Sequence, residues 1–135
     1  MLPVHNPRAE SDPLINPPVI DYMLHCQGCH LANGMGLPGA VPPLAGSDSR
    51  FLHSEAGRQF LIHVPGVALS RLSDERLARL MNWVVSHFDN ENLPNGFLPY
   101  TAEEIGTERA ALAVDVSTER AAALAASGVM PPYEY

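Results

Sequence analysis

The sequence predicts an all-α fold, and two observations carry this prediction. Several segments begin with a residue that caps helices, and no segment alternates apolar and polar residues as a half-buried strand would. The clearest helical segment covers residues 74–88 and follows Ser73. Its apolar residues recur at the spacing of one helical face, at Leu77, Leu80, Met81, Val84 and Phe88. We therefore expect three to five helices in the main body, with extra helices at the C-terminus.

Each further helix has its own start and stop signals. Asp21 lies in the first turn of a short helix over 20–26, where a carboxylate meets the helix dipole. Ser54 caps a helix that runs to Val64 and is stopped by Pro65-Gly66. A capping box, Thr101 to Glu104, opens another helix, and Ser117 begins a last, Ala-rich helix that ends at Gly128.

Composition divides the chain into three parts. Residues 1–19 contain five prolines and are expected to form an extended N-terminal arm. Residues 20–100 form the main domain, and within it the Gly- and Pro-rich segment 31–50 is a long loop of the kind that wraps a ligand. Residues 101–135 form a C-terminal helical extension packed on that domain.

The charge of the chain limits its partners. The net charge is −7 and all eight basic residues are Arg, which disfavours nucleic acid and anionic membrane surfaces as partners. No apolar run is long enough to span a bilayer. An acidic protein of this size is expected to dock on a basic patch of its partner. The composition leaves the oligomeric state undetermined.

The motif that carries chemistry is Cys26-x-x-Cys29-His30. This spacing is the attachment signature of c-type haem, in which two thioether bonds hold the porphyrin and the adjacent imidazole becomes the proximal iron ligand. A redox dithiol would need a βαβ setting, and a zinc site would need a second pair of ligands. The motif therefore predicts one covalent haem c, bound through Cys26, Cys29 and His30. It also predicts an exported, periplasmic protein whose signal peptide is absent from this chain.

With this motif, residues 20–90 resemble the class I c-type cytochromes. The resemblance implies the cytochrome c fold, with its helices wrapped around one haem. It also implies that Pro43 offers a backbone carbonyl to the axial histidine, that Leu44 packs on the ring, and that Tyr22 and Trp83 form an aromatic contact. The matching segments are Cys26–His30, Asn33–Gly39, Val41–Gly46 and Leu72–Glu75.

The sequence departs from the family where a methionine usually supplies the sixth iron ligand. The corresponding loop, residues 65–71, contains no methionine. His63, at the end of the preceding helix, is the candidate distal ligand, and an open or water-bound site and a residue of the C-terminal segment are the alternatives. Met35, Met81, His25, His53 and His87 are weaker candidates and are expected to serve in packing or at the surface.

Three functions are compatible with these features. The sequence favours a carrier of single electrons between periplasmic redox proteins, acting as acceptor or subunit of a dehydrogenase, over an enzyme, because no acid–base constellation accompanies the haem motif. The alternative is a haem protein whose open distal site binds or reduces a small ligand such as peroxide or NO. The third possible function is that of a subunit, in which the C-terminal helices hold the chain permanently on a larger oxidoreductase.

Overall fold

A computed structural model describes residues 16–128, and its secondary structure is helical. Within this range there is no β-strand, only an isolated bridge between Leu37 and Val41. A 3₁₀ helix covers Asp48–His53 and a 3₁₀ turn covers Asn90–Asn92. The prediction of an all-α fold is confirmed. The α-helices are α1 (Pro18–His25), α2 (Glu55–His63), α3 (Pro65–Ala68), α4 (Asp74–Asp89), α5 (Ala102–Glu108) and α6 (Val116–Ser127).

Three of the predicted caps form as expected. The side-chain oxygens of Ser54, Ser73 and Thr101 each accept a hydrogen bond from the backbone N–H three residues later, at 2.9, 3.3 and 3.2 Å. These bonds satisfy N–H groups that have no partner inside the helix. Helices α2, α4 and α5 therefore begin where the sequence predicts.

Two helices begin earlier than predicted. Helix α1 starts at Pro18, because the fixed φ of proline suits the first turn, where no N–H is needed. The predicted arm, 1–19, therefore overlaps the start of α1, and its residues 1–15 lie outside the described range. Helix α6 is capped by Asp115, which accepts from the N–H of Thr118 at 3.1 Å, so that Ser117 lies inside the first turn.

The link between α2 and α4 also differs from the prediction. Pro65 does end α2, but it opens the four-residue helix α3 rather than an irregular loop. At the other end of the chain Gly128 ends α6 with φ of +64°, a conformation that glycine adopts without strain. The last residues of the predicted C-terminal extension, 129–135, lie outside the described residues.

The main core lies between α1, α4 and α5. Tyr22 of α1 is 1% exposed and packs against Trp83 and Phe88 of α4, with ring centroids 5.6 and 5.0 Å apart. The expected contact between Tyr22 and Trp83 is thus confirmed. Ile105 joins the same core from α5. Asp21 is also buried and binds Arg76 of α4 at 2.6 Å, a role in addition to the expected interaction with the helix dipole.

A smaller core holds the C-terminal helix in place. Phe51 of the 3₁₀ helix and Phe60 of α2 stack with centroids 5.3 Å apart, and Ala123 of α6 packs against them. Helix α6 therefore covers α2 and the 3₁₀ helix. None of the helices in the described range is both long and apolar enough to cross a membrane.

The close approach of α2 to the 3₁₀ helix depends on Gly57. A Cβ at this position would lie 2.0 Å from the backbone oxygen of Phe51. We expect Gly57→Ala to lower the free energy of unfolding by about 1–3 kcal/mol, although helix propensity alone would favour alanine by about 1 kcal/mol. Urea unfolding followed by circular dichroism measures this change.

The neighbouring residue Ala56 provides the control. It is exposed, so Ala56→Gly should lose only the propensity difference of about 1 kcal/mol. A more stable Gly57→Ala variant would show that the two backbones can separate at little cost.

Candidate functional site

One cavity of about 400 Å³ brings the predicted site residues together. Its first wall combines the end of α1 with the segment 40–44. This wall contains all five residues predicted to hold the cofactor: Cys26, Cys29, His30, Pro43 and Leu44. Its second wall comes from the 3₁₀ helix, α2, α3 and α6. The cavity therefore lies between the haem motif and the helices that follow it in the chain.

The cysteines occupy the turn that ends α1. The N–H of Cys26 donates to Tyr22 O at 2.9 Å, and the N–H groups of Cys29 and His30 donate to Cys26 O at 3.1 and 2.9 Å. The Tyr22 hydroxyl donates to Leu31 O at 2.5 Å and fixes the far end of the motif. Because Tyr22 is itself buried against α4, the main core determines the position of both thiols.

The thiols have the chemistry of an attachment site rather than of a redox dithiol. Both cysteines are free. Burial, together with Asp21 and Cys29, raises the pKa of Cys26 to about 11, whereas a reactive dithiol requires a lowered thiol pKa. Across residues 16–128 no group of three or more His, Cys, Asp or Glu side chains could hold a metal ion. The rival zinc and dithiol interpretations therefore gain no support.

His30 is set up as a neutral imidazole. Burial lowers its pKa, while a hydrogen-bonding interaction with the backbone carbonyl of Pro42 raises it and only partly compensates. Its Nδ1 atom is buried and has no hydrogen-bond partner of ordinary geometry in the described part of the chain. Pro43, expected to offer its carbonyl to this histidine, is buried in the cavity wall next to Pro42, and its role stays a prediction. Two thiols and a neutral imidazole on one wall fit a covalently bound haem.

The second wall is apolar. Phe51 and Phe60 are 4% and 3% exposed, and Val116 extends the wall from α6. Arg120, also on α6, lines the cavity and places its guanidinium over the Phe51 ring, 5.6 Å from the centroid. Sequence reasoning missed these residues, because Val116 and Arg120 reach the cavity only through the packing of α6 on α2.

His63 is held between two carboxylates. Its Nδ1 lies 2.5 Å from Glu119 of α6 and its Nε2 lies 2.7 Å from Glu108 of α5. Burial alone would lower its pKa, but the hydrogen bonds to Glu119 and Glu108 outweigh burial and raise the pKa. With both ring nitrogens engaged, His63 has no lone pair for iron. His63 thus joins α2, α5 and α6 and is not among the residues that line the cavity, and its role as distal ligand stays a prediction that this arrangement disfavours.

The weaker ligand candidates occupy other places. Met81 is 7% exposed in the main core, as expected. The Nε2 atom of His53 lies 2.7 Å from Asn92 O at the surface, and His87 stacks on Trp83 with ring centroids 4.4 Å apart. His25 lines the cavity beside Cys26, on the wall that carries the motif.

Asp48 is a cavity residue that the sequence analysis did not identify. It is 4% exposed, and its Oδ2 has no hydrogen-bond partner in the range 16–128. Burial and the nearby Asp89 raise its pKa well above the usual range, despite the N–H of Ser49. Asp48 thus adds little negative charge to the cavity. The polar run 47–50 was the available signal, but it resembles an ordinary turn.

The sequence segment that carries the motif has no acidic residue, lysine or arginine. Residues 22–47 contain no Asp, Glu, Lys or Arg. Several large apolar side chains of this segment are exposed, among them Leu24 at 66% and Met23 at 54%. We call this segment the uncharged face. It means that the negative charge of the protein lies outside the motif side of the cavity.

Comparison with known proteins finds two relatives. The chain is 36% identical to cytochrome c-552 of Thermus thermophilus over 103 residues, which cover 63% of this chain and 79% of the relative. The same identity and length hold for a second cytochrome c-552, from a particular strain of the same species, of which 70% is covered. No family model matches the chain.

The link made by His63 predicts a pH-dependent stability. Its folded pKa lies above the unfolded value of about 6.5, so its contribution is complete below pH 6.5 and is lost as the pH rises through the folded pKa. We expect His63→Ala to lower the free energy of unfolding by about 2 kcal/mol at pH 6, the scale of hydrogen bonds to charged groups, and by less at pH 9. Urea titrations at a series of pH values measure the difference.

Conservative variants of the two carboxylates serve as controls. Glu108→Gln and Glu119→Gln keep a hydrogen-bonding group but remove a charge, so each should reduce the pH dependence. A stability difference between wild type and His63→Ala that stays constant from pH 6 to pH 9 would argue against an ion-paired histidine.

Proposed function

The chain belongs to the class I c-type cytochromes and binds one covalent haem c for electron transfer, and we propose that it exchanges these electrons with a periplasmic dehydrogenase through its uncharged face. The haem, when bound, supplies an iron couple that gains and loses one electron. The observation that carries the proposal is the position of Cys26, Cys29 and His30 beside exposed apolar side chains.

The residues of the first wall have separable tasks. Cys26 and Cys29 would anchor the cofactor at the end of α1, and His30 would bind the iron with the Pro42 carbonyl nearby to orient its ring. Pro43 and Leu44 would line the same side. Met23 and Leu31, near the motif in sequence, are exposed apolar side chains outside the cavity lining, where a partner can approach.

The uncharged face suits a docking contact without desolvated charges. Burying an unpaired charge costs several kcal/mol, and residues 22–47 present none. The exposed side chains of Met23, Leu24 and Leu31 offer apolar area instead. Such contacts form and release readily when the interface is small, as electron exchange requires.

The net charge of −7 acts at longer range. It favours a partner with a basic patch, because opposite charges raise the rate of encounter. Since the acidic residues lie outside 22–47, this patch would surround the contact rather than fill it. Raising the salt concentration should therefore slow association with the dehydrogenase but leave the contact itself intact.

Electron self-exchange tests the docking face without a known partner. Met23 is 54% exposed and does not line the cavity, so Met23→Glu places a charge on the uncharged face without placing it against the haem. It should slow self-exchange between two variant molecules about tenfold or more, because like charges would meet in the contact. NMR line broadening in a mixture of the oxidised and reduced variant, compared with the same mixture of the wild type, measures the rate. The reduction potentials of both proteins are measured alongside.

Leu98→Glu is the matched control. Leu98 is 74% exposed, lies between α4 and α5, and does not line the cavity. Leu98→Glu adds the same charge away from the uncharged face, so only the long-range repulsion between the two protein molecules should change. Equal rates for the two variants would place the contact elsewhere. The dehydrogenase itself is tested by co-purification from the native host, and its absence among electron donors would refute that part of the proposal.

A further inference from the structure

The second wall of the haem cavity has the composition of a ligand chamber. Most of its side chains are apolar, and the described part of this wall includes no methionine, histidine, lysine or cysteine. The polar members of this wall are Asp48 and Arg120, and the others are Phe51, Phe60, Leu61, Val64, Gly66, Val67 and Val116.

The short link between α2 and α4 leaves no room for the family's usual ligand. Residues 64–73 contain no methionine, and the link is folded into α3. From it Val64 and Val67 line the cavity. The alignment with the Thermus relative is 103 positions long but covers only 63% of this 135-residue chain, which is fewer than 103 residues. The relative therefore contains residues that this chain lacks. The link of this chain therefore contributes Val64 and Val67 to the cavity and no thioether.

His63 is kept out of the chamber by three contacts. Glu108 and Glu119 hold both nitrogens of its ring, and its backbone oxygen accepts from the N–H of Ala113 at 2.9 Å. Moving the ring to the iron would leave two partly buried carboxylates without their cation, which is costly. These contacts thus hold His63 at the junction of α2, α5 and α6.

Helix α6 closes the chamber. Val116 and Arg120 line it, and Ala123 anchors the helix on Phe51 and Phe60. The C-terminal extension therefore provides the wall that a longer link could otherwise supply. A chamber whose walls are mostly apolar favours small uncharged molecules over charged ones, which would lose their hydration there.

We propose that this cytochrome keeps an exchangeable sixth position on its haem iron and that the apolar chamber formed by α2, α3 and α6 admits small uncharged diatomic ligands, CO and NO among them. The proposal rests on the bound haem and not on the identity of the electron partner. It assigns the chain a ligand-binding capacity in addition to electron transfer.

Titration of the reduced holoprotein with CO tests the proposal. We expect complete, saturable binding in the absorption spectrum, with a rate that rises in proportion to the CO concentration. A protein that binds no CO, or binds it at a rate that levels off as an internal ligand departs, would overturn the proposal. The one-electron reduction of the same sample is measured separately, so the carrier function can stand if ligand binding fails.

A designed ligand provides the sharpest comparison. Val67→Met introduces a thioether into the chamber and should abolish or strongly slow CO binding, with a Met-thioether band appearing in the near infrared of the oxidised form. Leu69→Met is the control, because Leu69 is 68% exposed and does not line the cavity. Unchanged CO binding in Val67→Met would refute the location of the chamber.

Two more variants test internal ligands. His63→Ala and Met130→Ala should bind CO like the wild type. If either variant binds CO where the wild type does not, or loses a rate plateau that the wild type shows, the removed side chain occupies the sixth position and the proposal is wrong.

Discussion

The contact between α1 and α4 determines where the haem can be held. Tyr22 packs against Trp83 and Phe88 and also bonds to Leu31 O, so it joins the main core to the last turn of the motif. Asp21, one residue earlier, binds Arg76 at 2.6 Å while 2% exposed. Removing Arg76 would leave the buried Asp21 carboxylate without its cation, which is costly. The contact between α1 and α4 thus positions the thiols at 26 and 29.

The sequence predicted best those features that depend on contacts between residues close together in the chain. The bonds that cap α2, α4 and α5 join residues three apart, and the Cys26–His30 motif is a single turn, so neighbouring residues reveal them. The link made by His63 was not predictable in this way, because Glu108 and Glu119 lie 45 and 56 residues away and meet it only after α5 and α6 have packed. A histidine at a helix end looks the same in sequence whether it faces iron or carboxylates.

The C-terminal extension changes the meaning of the short link after α2. On its own, the link 64–73 suggests an exposed haem face. Helix α6 compensates by placing Val116 and Arg120 in the cavity wall, and Ala123 holds the helix against Phe51 and Phe60. The same packing brings Glu119 to His63. Closing the cavity and removing the candidate ligand from it therefore have one structural cause, which the separate segments of sequence do not reveal.

The two proposed activities use opposite walls of one cavity. Electron exchange requires an accessible surface, which the uncharged face supplies, while ligand binding requires enclosure, which Phe60, Val67 and Val116 supply. The walls come from different parts of the chain, before residue 48 and after it. A partner docked on the uncharged face would therefore leave the chamber intact. A ligand in the chamber would alter the iron without obstructing the partner, so ligand binding can regulate electron transfer without competing for the docking surface.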